Sequence, residues 1–244
     1  MLEFFRVRKI VKKGILQTIE DLKEKGLISI YLAGKILSDD QVYDSQIDLF
    51  GIVASEFDMQ LEEILNSKFE EEEGEKYGGI SVRFRAIPIC SLEGGELKGI
   101  VLRFKPERML QRLPFFKYKW GKKFNFKKDF PHKPMTLRNE ARMLMREILD
   151  EIRDLRNERE EFPFRDLPKH VIELVRVEAQ KEHGFDYDPS YKKLSKHLEK
   201  EENHIIHKAT ALRMKKSSRL DIMIFCDHVE KYIEDLKKRV DEWY

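Results

Sequence analysis

A polar loop between two apolar runs, residues 34–48, has the residue types that metal-assisted phosphate chemistry requires. Asp44, Gln46 and Asp48 are each separated by one residue, so on a strand their side chains point to the same face. Carboxylates that share a face can hold divalent metal ions, which neutralise a phosphate during its transfer. Gly34, at the end of the first apolar run, permits a turn in which backbone N–H groups approach a polyphosphate. This loop is therefore the first candidate for a functional site.

The elements on either side of this loop predict a sheet with helices packed against it. Apolar residues recur at spacings of three and four over residues 3–25 and stop at Gly26, which is typical of an amphipathic helix with a glycine stop. Apolar or alternating runs predict four strands, at residues 27–34, 47–54, 79–89 and 97–104. A short helix is expected around residues 59–69.

A basic segment rich in aromatic residues follows, at residues 98–133. It holds twelve Lys or Arg residues and two acidic residues. Its aromatic residues are Phe104, Phe115, Phe116, Tyr118, Trp120, Phe124, Phe126 and Phe130. Cations with interleaved rings suit single-stranded nucleic acid, because bases stack on the rings and phosphates follow the charge. The alternative is that the rings pack between domains while the lysines stay in solvent.

Helical patterns dominate the rest of the chain. One apolar stripe covers residues 137–155, and a second helix is expected from Pro168 to the His183-Gly184 pair. The sequence Asp-Pro-Ser at 188–190 predicts an N-cap followed by proline at the first helical position. A last helix is expected over residues 220–240.

These patterns predict an α+β protein with three parts. Residues 1–105 form a mixed sheet with flanking helices, residues 106–134 a basic aromatic connector, and residues 135–244 an all-helical domain. The chain has 244 residues, enough for a substantial core. Its 47 basic and 45 acidic residues nearly balance, so net charge does not identify a partner.

Composition also predicts a soluble, cytoplasmic protein. Cys90 and Cys226 are the only cysteines and have neither metal-binding nor redox spacing, which favours a reducing compartment. The first residues lack the continuous apolar segment of a secretory signal. No apolar run approaches the length that spans a bilayer, so no membrane partner is expected.

The loop 34–48 also carries a family resemblance. Gly34-Lys35 followed by Ser45-Gln46-Ile47-Asp48 resembles the glycine-serine and serine-aspartate-x-aspartate pattern of the DNA polymerase beta-like nucleotidyltransferase superfamily. The spacing is similar to that of minimal archaeal and bacterial members and of archaeal CCA-adding enzymes. The resemblance covers roughly residues 3–105 and leaves the helical tail outside it.

The resemblance implies transfer of a nucleoside monophosphate from a nucleoside triphosphate, with ATP most expected, to an acceptor hydroxyl, with RNA favoured. It implies that Asp48 holds Mg²⁺ and acts in catalysis, with Asp44 as its helper. The implied nucleotide-binding residues are Gly34, Lys35, Ser45, Gln46, Arg83 and Arg85.

Three departures from the family pattern leave alternatives open. Lys35 replaces the usual serine, Gln46 replaces the first aspartate, and the strand at 79–89 offers arginines where a third carboxylate is expected. Glu93 or Glu96 could supply that carboxylate by folding back. The chain could instead be a catalytically degenerate binding module, either an RNA-binding subunit or an antitoxin-like partner protein. A third alternative is a structural protein that forms a homodimer through its helical tail.

Overall fold

The computed structural model describes residues 2–33, 47–74, 76–77, 80–93, 106–126, 128–130, 135–157, 166–188, 190–214 and 218–243. The chain divides into two compact units, Met1–Pro134 and Met135–Tyr244. Each unit has its own hydrophobic core. No helix in this described part has the length and apolarity needed to cross a membrane.

The first unit combines strands and helices. Its elements are α1 (Leu2–Leu22), β1 (Leu27–Ala33), β2 (Ile47–Val53), α2 (Gln60–Glu71), β3 (Val82–Pro88), α3 (Ile89–Glu93), α4 (Pro106–Arg112) and β4 (Lys117–Gly121). A short 3-10 turn, Lys23–Lys25, ends α1, and Gly26 follows with a φ of 99°. A side chain strongly disfavours this left-handed conformation, so the predicted glycine stop is confirmed.

The strands form one mixed sheet in the order β3-β2-β1-β4. β1 is antiparallel to both β2 and β4, whereas β2 and β3 are parallel. The predicted strands at 27–34, 47–54 and 79–89 are confirmed, and the predicted strand at 97–104 lies outside the described residues. β4 belongs to the basic aromatic segment and was not predicted as a strand.

The two faces of the sheet have different cover. Ile47, Leu49 and Val53 of β2 pack in one cluster with apolar residues of α1 and α2. Phe50 and Ile52 point the other way, into a second cluster that contains residues of the basic aromatic segment, some of them on α4. Because successive strand residues alternate between faces, β1, β2 and β3 each contribute residues to both clusters.

Side chains of α2 close the outer edge of β3. The Asn66 side chain accepts a hydrogen bond from the Phe84 N–H at 2.8 Å and donates one to the Phe84 carbonyl at 3.0 Å. The Glu62 carboxylate accepts from the Ala86 N–H at 2.7 Å. These bonds satisfy backbone groups that an edge strand would otherwise leave unpaired.

The second unit is helical in its described residues. Its helices are α5 (Leu137–Arg156), α6 (Leu167–Glu182), α7 (Tyr191–His197), α8 (Ile205–Met214) and α9 (Arg219–Val240). The predicted helices at 137–155, from Pro168 and at 220–240 are confirmed, whereas α8 was not predicted. α7 begins at Tyr191, two residues later than the sequence indicated, because Ser190, rather than Asp188, is its N-cap and accepts a hydrogen bond from the Lys193 N–H.

Candidate functional site

Asp48 is the only acidic residue on the four described strands. It is the second residue of β2, and its Cα pairs with Ala33 at the end of β1 and with Arg83 on β3. Ala33 directly precedes Gly34 in the sequence. Asp48 is half-buried, so its carboxylate lies at the border between the apolar sheet and solvent.

Two arginines share the face of the sheet on which Asp48 lies. Arg83 pairs with Asp48 and Arg85 pairs with Phe50 in the parallel register between β2 and β3, and paired residues in neighbouring strands point to the same face. Both arginines are half-buried. Neighbouring strands lie about 4.8 Å apart, so Arg83 stands next to Asp48 on the strand where a third carboxylate was expected.

This arrangement fits a metal ion that is held jointly by the protein and a substrate phosphate. It fits less well a metal site made of protein ligands alone. The described strands supply one carboxylate, Asp48, with a cationic side chain beside it. Mg²⁺ is commonly held by one or two carboxylates together with substrate phosphates. A triphosphate would complete the ligand set of the ion and balance the charge of Arg83.

Several predicted site residues lie outside the described part of the chain. They are Gly34, Lys35, Asp44, Ser45 and Gln46, and their roles remain predictions. Of the two residues considered for a third carboxylate, Glu93 is exposed at the end of α3, and Glu96 lies outside the described residues.

Three phenylalanines of the basic aromatic segment belong to the core of the first unit. Phe124, Phe126 and Phe130 are each 6–7% exposed. The rings of Phe126 and Phe130 stack 5.9 Å apart, and Phe126 meets Tyr31 edge-on at 5.3 Å. The Tyr31 hydroxyl accepts a hydrogen bond from the Phe124 N–H, and burial raises the pKa of this hydroxyl. These three rings are therefore packed in a core rather than open to nucleic-acid bases.

Another part of the same segment is exposed and positively charged. Phe115 is 47% exposed and Tyr118 is 37% exposed. Partial burial, together with the nearby charges of Lys117 and Arg8, lowers the pKa of Lys119 on β4. Positive charge is therefore concentrated around β4, close to two rings that solvent can reach.

A buried polar network in the second unit was missed by the sequence analysis. Glu178 of α6 is 1% exposed. Its carboxylate accepts hydrogen bonds from Tyr232 at 2.5 Å, His204 at 3.2 Å and Arg239 at 2.6 Å. Burial raises the pKa of Glu178, but the hydrogen bonds outweigh burial and the net pKa is lowered. The one sequence signal was a glutamate inside an apolar helical run.

The same network includes carboxylates near a histidine, as in a metal site. Ligand atoms of Glu178, Glu182 and His183 lie within 4.8 Å of one another. However, Arg239 donates to both carboxylates, and the Trp243 indole donates to Glu182 at 2.8 Å. Because these donors already occupy the carboxylates, the cluster is better described as an ion-pair network. Glu178, His183 and Arg239 line a cavity of about 630 Å³.

Comparison with known proteins places this fold. No protein-family model and no curated protein sequence matches the chain. Spectinomycin adenyltransferase AAD(9) from Enterococcus faecialis, a structure solved with ATP and spectinomycin, is similar to it with a TM-score of 0.60 and 14% identity. The match covers 91% of this chain and 99% of that one, so it extends beyond residues 1–105 into the helical unit. At this identity the likeness establishes the fold alone: a nucleotidyltransferase-like mixed sheet followed by a helical region.

Proposed function

We propose that this chain transfers a nucleoside monophosphate from a nucleoside triphosphate, with ATP preferred, to an acceptor hydroxyl. The position of Asp48 is the observation that carries the proposal. Asp48 is the single carboxylate of the described strands and pairs with Arg83 on β3. It also pairs with Ala33, the residue that precedes Gly34. The fold supports the proposal, because a similar chain is an adenyltransferase solved with ATP. The site would resemble that of the DNA polymerase beta-like superfamily, but with an altered metal-binding motif.

In this mechanism Asp48 and Asp44 would hold Mg²⁺. When bound, the ion neutralises charge on the phosphate under attack. Arg83 and Arg85 lie on the face of Asp48 and bind the phosphates, since guanidinium groups match phosphate oxygens in geometry and charge. The triphosphate is held in the loop by Gly34, Lys35, Ser45 and Gln46, with Lys35 supplying charge in place of a hydroxyl.

Two acceptor classes follow from different observations. The adenyltransferase with the similar fold was solved with spectinomycin, which favours a hydroxyl on a small molecule. The exposed rings of Phe115 and Tyr118 beside the cations of β4 favour RNA, but the burial of Phe124, Phe126 and Phe130 removes much of the stacking surface expected from the sequence. We therefore propose a small-molecule acceptor first and RNA second.

A binding module without catalysis is the competing function. The arginine beside Asp48 and the glutamine at position 46 both favour it, because each replaces a carboxylate of the family pattern. Such a module would bind nucleotide or RNA, or act as the antitoxin-like partner of another protein, without transferring a nucleotide.

Calorimetric titration with each nucleoside triphosphate, with and without Mg²⁺, distinguishes these functions. We expect binding that needs metal and nucleotide together, because Asp48 alone is a weak metal site. Two unit charges 4 Å apart interact by about 1 kcal/mol in water, so losing one carboxylate near a divalent ion costs about 2 kcal/mol, or roughly 30-fold in Kd. Asp48→Asn should show this loss.

Glu56→Gln is the matched control, because Glu56 is an exposed acid just beyond the opposite end of β2. It should bind Mg²⁺ and nucleotide like the wild-type chain. Binding that does not depend on Mg²⁺, or that survives Asp48→Asn unchanged, would refute the metal-assisted mechanism and favour the binding module.

Pyrophosphate release with candidate acceptors then tests the reaction itself. Spectinomycin and short single-stranded RNA serve as probes of the two acceptor classes. Pyrophosphate release that depends on an acceptor and is lost in Asp48→Asn supports nucleotidyl transfer. If the double variant Phe115→Ala/Tyr118→Ala retains full RNA binding, these rings do not form an RNA surface.

A further inference from the structure

Phe116, a half-buried residue of the basic aromatic segment, lies at the same end of the sheet as Asp48. It directly precedes β4, whose first residue, Lys117, pairs with Leu32 of β1. In this antiparallel register Phe116 lies level with Ala33, the residue of β1 that pairs with Asp48. Phe116 and Asp48 are therefore two strands apart, roughly 10 Å, because neighbouring strands lie about 4.8 Å apart.

The ring of Phe116 lies on the face of the sheet that carries Asp48. Its centroid is 4.9 Å from that of the Phe50 ring, with an angle of 41° between the ring planes. Phe50 is two residues after Asp48 on β2, so both side chains point to the same face. Phe50 is buried, whereas Phe116 packs only at the border of the core. Phe50 therefore supports the Phe116 ring, part of which remains accessible.

This end of the sheet has charged groups on one side and an aromatic ring on the other. Along the strand order, Arg83 on β3 comes first, Asp48 on β2 second, and Phe116, next to β4, last. The charged side suits a metal ion and phosphates. An accessible ring suits a nucleobase, because every base has a flat face that stacks on aromatic side chains. The two sides together match the two ends of a nucleotide.

We infer that the base of the nucleoside triphosphate stacks on Phe116 while its phosphates lie at Asp48 and Arg83. The nucleotide then runs across the strands, with its base next to β4 and its phosphates over β2 and β3. This inference rests on the proposed nucleotidyl transfer. A purine covers more of a phenylalanine ring than a pyrimidine does, so this contact favours ATP and GTP over CTP and UTP.

Calorimetric titration of the full chain with ATP and with inorganic tripolyphosphate, each in the presence of Mg²⁺, tests this inference. Tripolyphosphate carries the phosphates of a nucleotide but no base. In Phe116→Ala we expect the affinity for ATP to fall by about 5- to 150-fold, the usual range for loss of one base–aromatic stack. The affinity for tripolyphosphate should stay unchanged, and the preference for ATP over CTP should become smaller.

Two further variants control for folding. Phe116→Leu keeps an apolar side chain against Phe50 but removes the flat ring, so it should also weaken ATP binding without weakening tripolyphosphate binding. Phe185→Ala is the matched control, because Phe185 is a half-buried residue of the second unit whose ring has a tilted neighbour, His197, at 5.0 Å. It should leave both affinities unchanged. Circular dichroism melting establishes that each variant is folded, and Phe116→Leu decides the test if Phe116→Ala is not.

The outcomes separate this inference from the proposed function. If Phe116→Ala and Phe116→Leu weaken ATP and tripolyphosphate binding equally, Phe116 only supports the sheet, and the inference is overturned. Unchanged ATP affinity in both folded variants also overturns it. In either case Mg²⁺-dependent ATP binding that is lost in Asp48→Asn leaves the proposed function standing. If neither ATP nor tripolyphosphate binds in a Mg²⁺-dependent way, the proposed function and this inference both fail.

Discussion

The Asn66 clamp on β3 gives a prediction whose size can be worked out from the structure. Asn66 makes two hydrogen bonds to the backbone of Phe84, a residue with no exposed surface. Each hydrogen bond contributes about 1 kcal/mol, and a buried group left without a partner costs about 1–3 kcal/mol. For Asn66→Ala we therefore expect a loss of about 2–4 kcal/mol in the free energy of unfolding of the first unit.

A second variant separates the two bonds. Asn66→Asp keeps an acceptor for the Phe84 N–H but has no donor for the Phe84 carbonyl. It should cost about half as much as Asn66→Ala, roughly 1–2 kcal/mol. Ser67→Ala, at the exposed neighbouring position of α2, should stay within about 0.5 kcal/mol of the wild-type chain.

Urea unfolding followed by tryptophan fluorescence measures these losses. The chain has 2 tryptophans. Trp120 packs against the core of the first unit, and Trp243 belongs to the second. In a Trp243→Phe background, Trp120 alone reports on the unit that contains the clamp. If Asn66→Ala unfolds at the same urea concentration as its background, the clamp does not hold β3.

Two further predictions concern close packing and buried charge. In Gly51→Ala the new Cβ would lie 2.4 Å from the buried Phe84 ring, so we expect a loss of about 1–3 kcal/mol by urea unfolding. The lowered pKa of Glu178 means that its contribution to stability is complete above its unfolded value, near 4.5, and is lost as pH falls through the lower folded value. Glu178→Gln should therefore lower the free energy of unfolding at pH 7 by about 3 kcal/mol. It should also make the decrease of this free energy with falling pH less steep. Trp243 fluorescence in a Trp120→Phe background measures both effects. If stability falls as steeply with acid in Glu178→Gln as in its background, protonation of Glu178 does not cause the loss of stability.

The sequence predicted much of the fold because its signals are local. Three strands follow from short apolar or alternating runs, and most helices follow from apolar residues at helical spacing and from their glycine or proline boundaries. Such signals need no knowledge of distant neighbours. β4 was missed because it is a short, charged edge strand, Lys117–Gly121, and its pairing with β1 gives it structure that its own composition does not indicate.

The basic aromatic segment shows where local signals end. Spacing alone allowed either stacking or core packing for its rings. Phe124, Phe126 and Phe130 are buried because they contact each other and Tyr31, a residue of β1 that is distant in sequence. Phe115 and Tyr118, in the same segment, are exposed. Only the packing of the segment against the sheet separates the two groups.

In the candidate site, too, some features follow from the sequence and others only from the tertiary structure. The sequence by itself determined which residues could do chemistry, Asp48 among them, and that a glycine stands at the end of the preceding strand. The tertiary structure decided that Arg83 lies beside Asp48, because that pairing depends on the register of two parallel strands. It also decided that Glu178 meets Arg239, because these residues lie on different helices. Residue types and spacing follow from the chain, but neighbours across strands and helices depend on long-range packing.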